Sequence, residues 1–213
     1  MHSPNAERFP PKITYISHHA LRKGVGIGRN RPVCKKGGQK VDKLSRKRLV
    51  ERAVSGDTEA FSKLYEGIYK QLYYYALANL RTVEDAADAV QDTVLDGFVG
   101  ISSLRDSKAF DSWMFTILVA RIKQKQKEYA DRYGGANSTQ PVEAVISDPS
   151  EFSYCEVLEE FQGLRDEERL CITLACIAGY KTAEITKITG INSSTVRSHI
   201  LRGKKKLRKK LSE

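Results

Sequence analysis

The chain has 213 residues, of which 40% are apolar, and its 36 Lys and Arg outnumber its 26 Asp and Glu to give a formal net charge of +10. This composition suits a globular protein with one large domain or two small ones. No apolar run approaches the roughly 18 to 20 residues that span a bilayer, and the N-terminus lacks the apolar stretch of a secretory signal, so we expect a cytoplasmic protein.

The positive charge is concentrated at the N-terminus. Residues 1–48 hold 13 Lys and Arg against two acids, a net of +11, whereas residues 49–213 carry 23 bases and 24 acids, a net of −1. Residues 1–43 mix Pro and Gly without a helical or strand period, which predicts a flexible basic tail. The GVGIG stretch in this tail lacks a flanking strand, a flanking helix and a Gly-Lys-Ser/Thr ending, so we expect no nucleotide cofactor.

The cysteines do not indicate a metal site. Cys34, Cys155, Cys171 and Cys176 lack the paired spacing of zinc ligands, and we expect thiols that are either buried or without a chemical role. No nucleophile, base or metal constellation is evident, so we expect neither a metal cofactor nor an enzyme.

Helical signals begin at Leu44 and continue to about Tyr133, which predicts a first helical bundle. Asp57 is predicted to cap a helix whose apolar side chains recur at about 100° per residue as far as Ala76. Thr82 followed by Asp85 resembles a capping box that opens a second helix through Phe98. A third helix is predicted from near Lys108.

The second of these helices, VEDAADAVQDTVLDGF, predicts two opposite faces. The apolar face holds Val83, Ala86, Ala87, Val90, Val94 and Phe98, and the acidic face holds Asp85, Asp88, Asp92 and Asp96. Like charges at this spacing repel each other. A stripe without interleaved lysines therefore indicates a basic protein partner, and the alternative is a solvated acidic face.

The third predicted helix is basic, in contrast to the acidic second one. Beyond an apolar stripe it carries five cations, Arg121, Lys123, Lys125, Lys127 and Arg132. Cations beside Phe110 and Trp113 suit single-stranded nucleic acid, whose bases stack on aromatic rings. Aromatic residues at helical spacing also suit a core, and the sequence leaves both interpretations open.

Residues 134–153 are rich in Gly, Ser, Asn and Pro, which predicts a linker. A second unit, residues 154–213, has predicted helices near Glu156 to Phe161, Asp166 to Ala178, Thr182 to Thr189 and Ser193 to Leu211. No strand period is present, so we predict an all-α protein of two small helical domains joined by a flexible linker. The second domain is predicted to be a helix-turn-helix of four helices, winged-helix-like.

The helix-turn-helix prediction depends on the stretch EITKITGINSSTVRSHILRGKKKLRKKL. Gly190 is predicted to end one helix and permit a sharp corner, and Asn192 or Ser193 to cap the next, which would enter the DNA major groove. Val196, Ile200, Leu207 and Leu211 share one side of that last helix. Base-reading candidates at its N-terminal end are Ser194, Thr195, Arg197, Ser198 and His199. The alternative is a solvated cationic helix end, which the macrodipole favours.

From Leu49 to Leu211, the chain combines an acidic helix, a basic helix with aromatic residues, a linker and a helix-turn-helix. This combination resembles bacterial RNA polymerase sigma factors of the extracytoplasmic-function (ECF) type. GDTEAFSKLYEGIYKQLYYYA resembles the opening of the family's region 2, EDAADAVQDTVLDGF its polymerase-docking segment and FDSWMFTILVARI its promoter-melting segment. LRDEERLCITLACIAGYKTAEITKITGINSSTVRSHILRGKKKLR is similar to region 4.

The resemblance implies a promoter-recognition function and assigns residues to it. Region 2, residues 44–133, would bind core polymerase and the minus-ten element, and region 4, residues 154–213, the minus-thirty-five element. The implied polymerase contacts are Asp85, Asp88, Gln91 and Asp92. The loop Ser102 to Ser112 would receive a flipped base of the melted strand, and the implied minus-ten residues are Phe110, Ser112, Trp113, Arg121, Lys123, Lys125 and Lys127. The implied contacts to the minus-thirty-five duplex are Ser193, Ser194, Thr195, Arg197, Ser198, His199, Arg202, Lys204, Lys205 and Lys206.

Two features depart from the family pattern. The segment LVARIKQKQKEY lacks the Arg-Asn pair common after the tryptophan, which leaves the minus-ten preference open, and Arg165 stands where Pro is frequent. An anti-sigma factor is a common partner in the resembled family. The competing hypothesis is a helix-turn-helix regulator that acts on duplex DNA without polymerase.

Overall fold

The computed structural model describes residues 43–133, 161 and 163–211, and within these ranges every regular element is helical. Two 3₁₀ turns, Ile101–Ser103 and Ser107–Ala109, connect the fourth and fifth helices. The helices are α1 Lys43–Val54, α2 Thr58–Glu66, α3 Tyr69–Asn79, α4 Val83–Gly100, α5 Phe110–Tyr133, α6 Asp166–Cys176, α7 Thr182–Thr189 and α8 Ser193–Leu211. The all-α prediction is confirmed. The described ranges contain no strand, so the predicted likeness to a winged-helix domain holds for its helices only.

Predicted helix starts are confirmed where a side chain caps the first turn. The Asp57 carboxylate accepts a hydrogen bond from the Ala60 amide at 3.0 Å, and the Thr82 hydroxyl oxygen accepts one from the Asp85 amide at 3.0 Å. Each bond satisfies an amide that the helix itself leaves unpaired. The single helix predicted from Asp57 to Ala76 is wrong, because the chain turns at Gly67 and Ile68 and continues as α3.

The first five helices pack around large apolar side chains. Tyr75, Leu72, Phe115, Leu118 and Ile122 are fully buried, and α4 packs against α3 and α5. The Tyr75 and Phe115 rings meet edge to face with centroids 5.5 Å apart, a geometry that aromatic quadrupoles favour. This core holds α4 and α5 side by side and leaves one face of α4 exposed.

In the C-terminal unit, α7 and α8 both pack against α6. A Cβ added at Gly203 of α8 would lie 3.0 Å from Ile172 Cδ1, so glycine allows α6 and α8 to approach closely here. The α6–α8 contact orients α8, and Val196 is fully buried on its inner side. α8 therefore presents the opposite side to solvent.

The two helical units also pack against each other and share one hydrophobic core. The Phe115 and Tyr180 rings meet with centroids 5.3 Å apart, and the Asn79 side-chain amide donates to the Thr173 hydroxyl at 3.0 Å. Lys123 Nζ donates to the Thr189 carbonyl at 2.8 Å. This close packing was not predicted from the sequence. The predicted linker, residues 134–153, lies outside the described residues. So do the predicted tail, apart from its last residue Lys43, and the predicted helix near Glu156 to Phe161, apart from Phe161.

Among the described residues, no helix combines the length and the apolar character needed to cross a bilayer.

Candidate protein and nucleic-acid interfaces

Asp85, predicted to contact a protein partner, is held inside the first unit. Its carboxylate accepts hydrogen bonds from the Tyr129 hydroxyl at 2.6 Å, the Lys125 ammonium at 3.0 Å and the Thr82 hydroxyl at 2.9 Å. Burial acts to raise the pKa of Asp85, but these hydrogen bonds outweigh burial and lower its pKa below the ordinary value. Asp85 therefore fastens α4 to α5, and its predicted contact with a protein partner stays a prediction.

The other end of the acidic stripe is paired in the same way. Arg121 of α5 donates to the Asp96 carboxylate at 2.6 and 2.8 Å and lies 3.9 Å from that of Asp92. The hydrogen bond to Asp96 raises the pKa of Arg121. The stripe has no interleaved lysines, as predicted, but part of its negative charge is already neutralised within the chain. The cations come from α5, too far along the chain for helical periodicity to reveal.

The exposed remainder of α4 is mixed acidic and apolar. Its surface, the α4 outer face, consists of Asp88, Gln91, Leu95, Phe98 and Val99. Leu95 is 58% exposed and Val99 81% exposed. Phe98 and Ala87 were predicted to be buried and are exposed, because the core contacts fall on Ala86, Ala89, Val90, Thr93 and Gly97. Leu95 and Val99 were not among the predicted site residues, because the outward face was predicted from its aspartates alone.

The predicted minus-ten residues at the start of α5 differ in how deeply they are buried. Phe110 is only 1% exposed and packs against Phe61 and Trp113, so its predicted DNA contact is corrected to a core role. Trp113 is half-buried and Ser112 donates to the Ala109 carbonyl at 3.0 Å.

The four cations predicted to contact the minus-ten element divide into two groups. Arg121 and Lys125 are paired with α4 carboxylates, so DNA would have to compete with these pairs, and their predicted DNA contacts stay predictions. Lys123 is on the solvent side but its ammonium contacts α7, whereas Lys127 is exposed. Of these four cations, Lys123 and Lys127 are the exposed ones.

The corner between α7 and α8 has the geometry predicted for a helix-turn-helix. Gly190 ends α7 in the left-handed region at φ +73°, where a Cβ would be strained. The Asn192 carboxamide oxygen accepts a hydrogen bond from the Thr195 amide at 2.9 Å and so caps α8. Of the two predicted caps, Asn192 is the one used.

The solvent side of α8, the α8 outer face, is polar and cationic apart from one residue. It comprises Ser194, Arg197, Ser198, Leu201, Arg202 and Lys205, all exposed. Arg197 donates to the Ser193 hydroxyl at 3.2 Å, an exposed contact that a ligand can replace. Thr195, His199 and Lys204 are less exposed, and Nδ1 of His199 is buried. Leu201 was not among the predicted site residues.

Two cations predicted to contact the minus-thirty-five duplex also contact α6. Lys206 Nζ lies 2.7 Å from one oxygen of Glu168, and Arg202 Nε lies 3.8 Å from the other. Glu168 is only 2% exposed. Burial acts to raise its pKa, but Lys206 and its other partners outweigh burial and lower the pKa of Glu168. Lys206 therefore joins α8 to α6 while its side chain remains exposed, and its predicted DNA contact stays a prediction.

The described residues hold no group of three or more His, Cys, Asp or Glu side chains placed to bind a metal ion. Cys171 and Cys176 are free thiols. Burial raises the pKa of Cys171 to about 11, which keeps it protonated and unreactive at neutral pH.

Comparisons with known proteins agree with the geometry of both units. Residues 64–130 match the family description Sigma-70 region 2, and residues 156–207 match Sigma-70, region 4. The ECF RNA polymerase sigma factor SigM of Mycobacterium tuberculosis is 30% identical over 167 residues, which cover 75% of this chain and 81% of that protein. SigW of Bacillus subtilis is 28% identical over 185 residues, 78% of this chain and 97% of that protein.

Two solved structures have the same fold. CnrH, in complex with the cytosolic domain of CnrY, has a TM-score of 0.61 and 21% identity, with 78% of this chain and 97% of that chain covered. The sigma factor RpoE of Bartonella quintana, in complex with the anti-sigma factor NepR, has a TM-score of 0.58 and 18% identity, with 73% of this chain and 98% of that chain covered.

Proposed function

The chain belongs to the ECF RNA polymerase sigma factors, and we propose that its α4 outer face binds core polymerase while α5 and α8 read the two promoter elements. The observation that supports this division best is the contrast between two exposed helix faces. The α4 outer face joins apolar Leu95 and Val99 to the acidic Asp88, whereas the α8 outer face carries cations and no acid. Regions 2 and 4 are assigned to residues 44–133 and 154–213 as part of the same proposal.

The polymerase contact is proposed to use the exposed residues of α4. Asp88, Gln91 and Asp92 keep this role, with Leu95 and Val99 adding apolar area that is buried on docking. Burying apolar side chains contributes about 25 cal/mol per Å², and protein interfaces combine such apolar centres with polar rims. A basic and apolar surface on the polymerase would complement this face.

Promoter reading is proposed to divide between the two units. The loop Ser102 to Ser112, with Trp113, Lys123 and Lys127, contacts the melted minus-ten strand through ring stacking and cationic groups. The α8 outer face enters the major groove of the minus-thirty-five duplex, where Arg197 reads a base edge and Lys205 contacts phosphate. Ser194 and Ser198 supply further hydrogen-bonding groups beside Arg197.

Simultaneous reading of both elements requires the two units to separate. The elements lie 25 base pairs apart by their names, about 85 Å at 3.4 Å per base pair. In the packed arrangement the ammonium of Lys123 is 2.8 Å from the residue that ends α7, next to the α8 corner. We propose that polymerase holds the units apart and thereby makes two weak DNA contacts act together. DNA opening then uses binding energy from unpaired bases.

The deciding experiment is transcription reconstituted from sigma-free core polymerase, this chain and host DNA, with start sites mapped. We expect start-site-specific RNA only when the chain is present. An Asp88→Lys/Gln91→Lys variant should lose comigration with core polymerase at least tenfold, whereas the control Glu66→Lys, an exposed acid on α2, should keep it. Duplex binding without comigration would instead support a regulator that acts without polymerase, which the family comparison does not favour.

An anti-sigma factor is a further proposed partner. The two similar solved structures contain CnrH with the cytosolic domain of CnrY and RpoE with the anti-sigma factor NepR. Such a protein would act on this chain by competing for the α4 outer face or by holding the two units together. Copurification from the host before and after induction would test this.

A further inference from the structure

Leu201 lies within the α8 outer face and is the large apolar residue of that face, with 70% of its surface exposed. Its neighbours at helical spacing are Arg197, Ser198 and Lys205, all exposed. An isolated exposed leucine is ordinary on a protein surface. This one is distinctive because it lies in the middle of the surface proposed to face DNA bases.

Leu201 does not contribute to the packing of α8. The inner side of the helix packs through the buried Val196, the partly buried Ile200 and Leu207, and Gly203, whose added Cβ would lie 3.0 Å from Ile172. These contacts hold α8 in place without Leu201. The side chain is therefore available to an external ligand.

Two cations that follow Leu201 on the helix are partly engaged elsewhere. Arg202 Nε donates to the Ser198 carbonyl at 3.3 Å and lies 3.8 Å from Glu168, while Lys206 is bound to Glu168 at 2.7 Å. These contacts draw positive charge toward α6. Leu201 is left between Arg197 on the preceding turn and Lys205 on the following one.

We propose that Leu201 reads the C5-methyl group of a thymine in the minus-thirty-five duplex, an inference that rests on the proposed function of α8. In the major groove only thymine presents a methyl group, and apolar side chains recognise it by contact. Leu201 lies four residues after Arg197, about 6 Å along the helix axis. The thymine is therefore expected within about two base pairs of the base that Arg197 contacts.

The test uses reconstituted holoenzyme and a mapped promoter in which each thymine of the minus-thirty-five element is replaced in turn by deoxyuridine. This replacement removes the methyl group and keeps base pairing. For the wild-type chain we expect one replacement to weaken promoter binding about fourfold, the effect of one buried methyl group. The Leu201→Ala variant should bind thymine DNA about fourfold more weakly and show no further loss with deoxyuridine at that position.

Lys205→Ala is the matched control, because it removes a neighbouring side chain from the same face. It should weaken binding to all templates and keep the fourfold response to deoxyuridine. Thermal melting of the free variants checks folding, and no change is expected because Leu201 makes no core contact.

Three results would overturn the proposal. In the first, the wild-type holoenzyme initiates specifically but no deoxyuridine replacement weakens its promoter binding. In the second, the Leu201→Ala variant keeps the wild-type response to deoxyuridine. In the third, Leu201→Ala weakens binding equally on all templates, with or without the thymine. The first two leave the proposed function intact, and the third assigns Leu201 to a contact other than a base. Failure of the wild-type chain to initiate at all would remove the proposed function and this inference together.

Discussion

Two aspartates on one helix have different roles because of what surrounds them. Asp85 accepts hydrogen bonds from Tyr129, Lys125 and Thr82, whereas Asp88, one turn later, is exposed. We expect Asp85→Asn to lower the free energy of unfolding by about 1 kcal/mol, since charge-assisted hydrogen bonds are weakened, and to leave core binding little changed. Asp88→Asn should weaken core binding and leave the free energy of unfolding little changed. Chemical denaturation and comigration with core polymerase measure the two effects, and equal effects of both variants on either measurement would contradict the assignment.

The lowered pKa values of Asp85 and Glu168 also predict a pH dependence. A carboxyl group whose pKa is lower in the folded chain stabilises that chain above the unfolded pKa, near 4. This stabilisation is lost as the pH falls through the folded value. We therefore expect the free energy of unfolding to fall below about pH 5, with a shallower slope in Asp85→Asn. An unchanged slope in that variant would show that Asp85 does not contribute.

At the scale of the elements, the corner between α7 and α8 depends on a left-handed glycine. Gly190→Ala places a Cβ at φ +73°, and the resulting strain is expected to lower stability by about 1 kcal/mol. The strain falls on the corner that orients α8, so duplex binding should also weaken. Gly56→Ala is the control, because Gly56 has φ +96° in the first unit and should lower stability without affecting the minus-thirty-five contact. Denaturation and binding to a minus-thirty-five duplex distinguish these outcomes.

At the scale of the whole molecule, the contact between Lys123 and the α7 carboxyl end helps hold the two units together. We expect Lys123→Ala to lower energy transfer between fluorophores placed at exposed Ser62 and Lys209 as unnatural amino acids, because the separated form gains population. Losing one such bond, worth about 1 kcal/mol, shifts that population about fivefold. Lys127→Ala removes the same charge from an exposed position of α5 and should leave transfer unchanged. Equal changes in both variants would indicate a charge effect.

The sequence predicted local structure well where one residue determines it. Asp57 and Thr82 begin helices, Gly190 ends one, and the bounds of α7 and α8 were predicted correctly. The resemblance to sigma factors also came from sequence patterns and is confirmed by the family comparison. The break at Gly67 was missed because apolar side chains continue the same period on both sides of it.

The sequence by itself determined the all-helical character, several helix ends, the helix-turn-helix corner and the family, because caps, glycines and periodicity act within a few residues. Only the tertiary structure decided which charged groups remain available. Arg121 lies 25 residues from Asp96 along the chain, and Lys206 lies 38 residues from Glu168. Packing alone brings such pairs together, and short-range attraction between opposite charges then removes them from the surfaces that their positions on each helix had predicted.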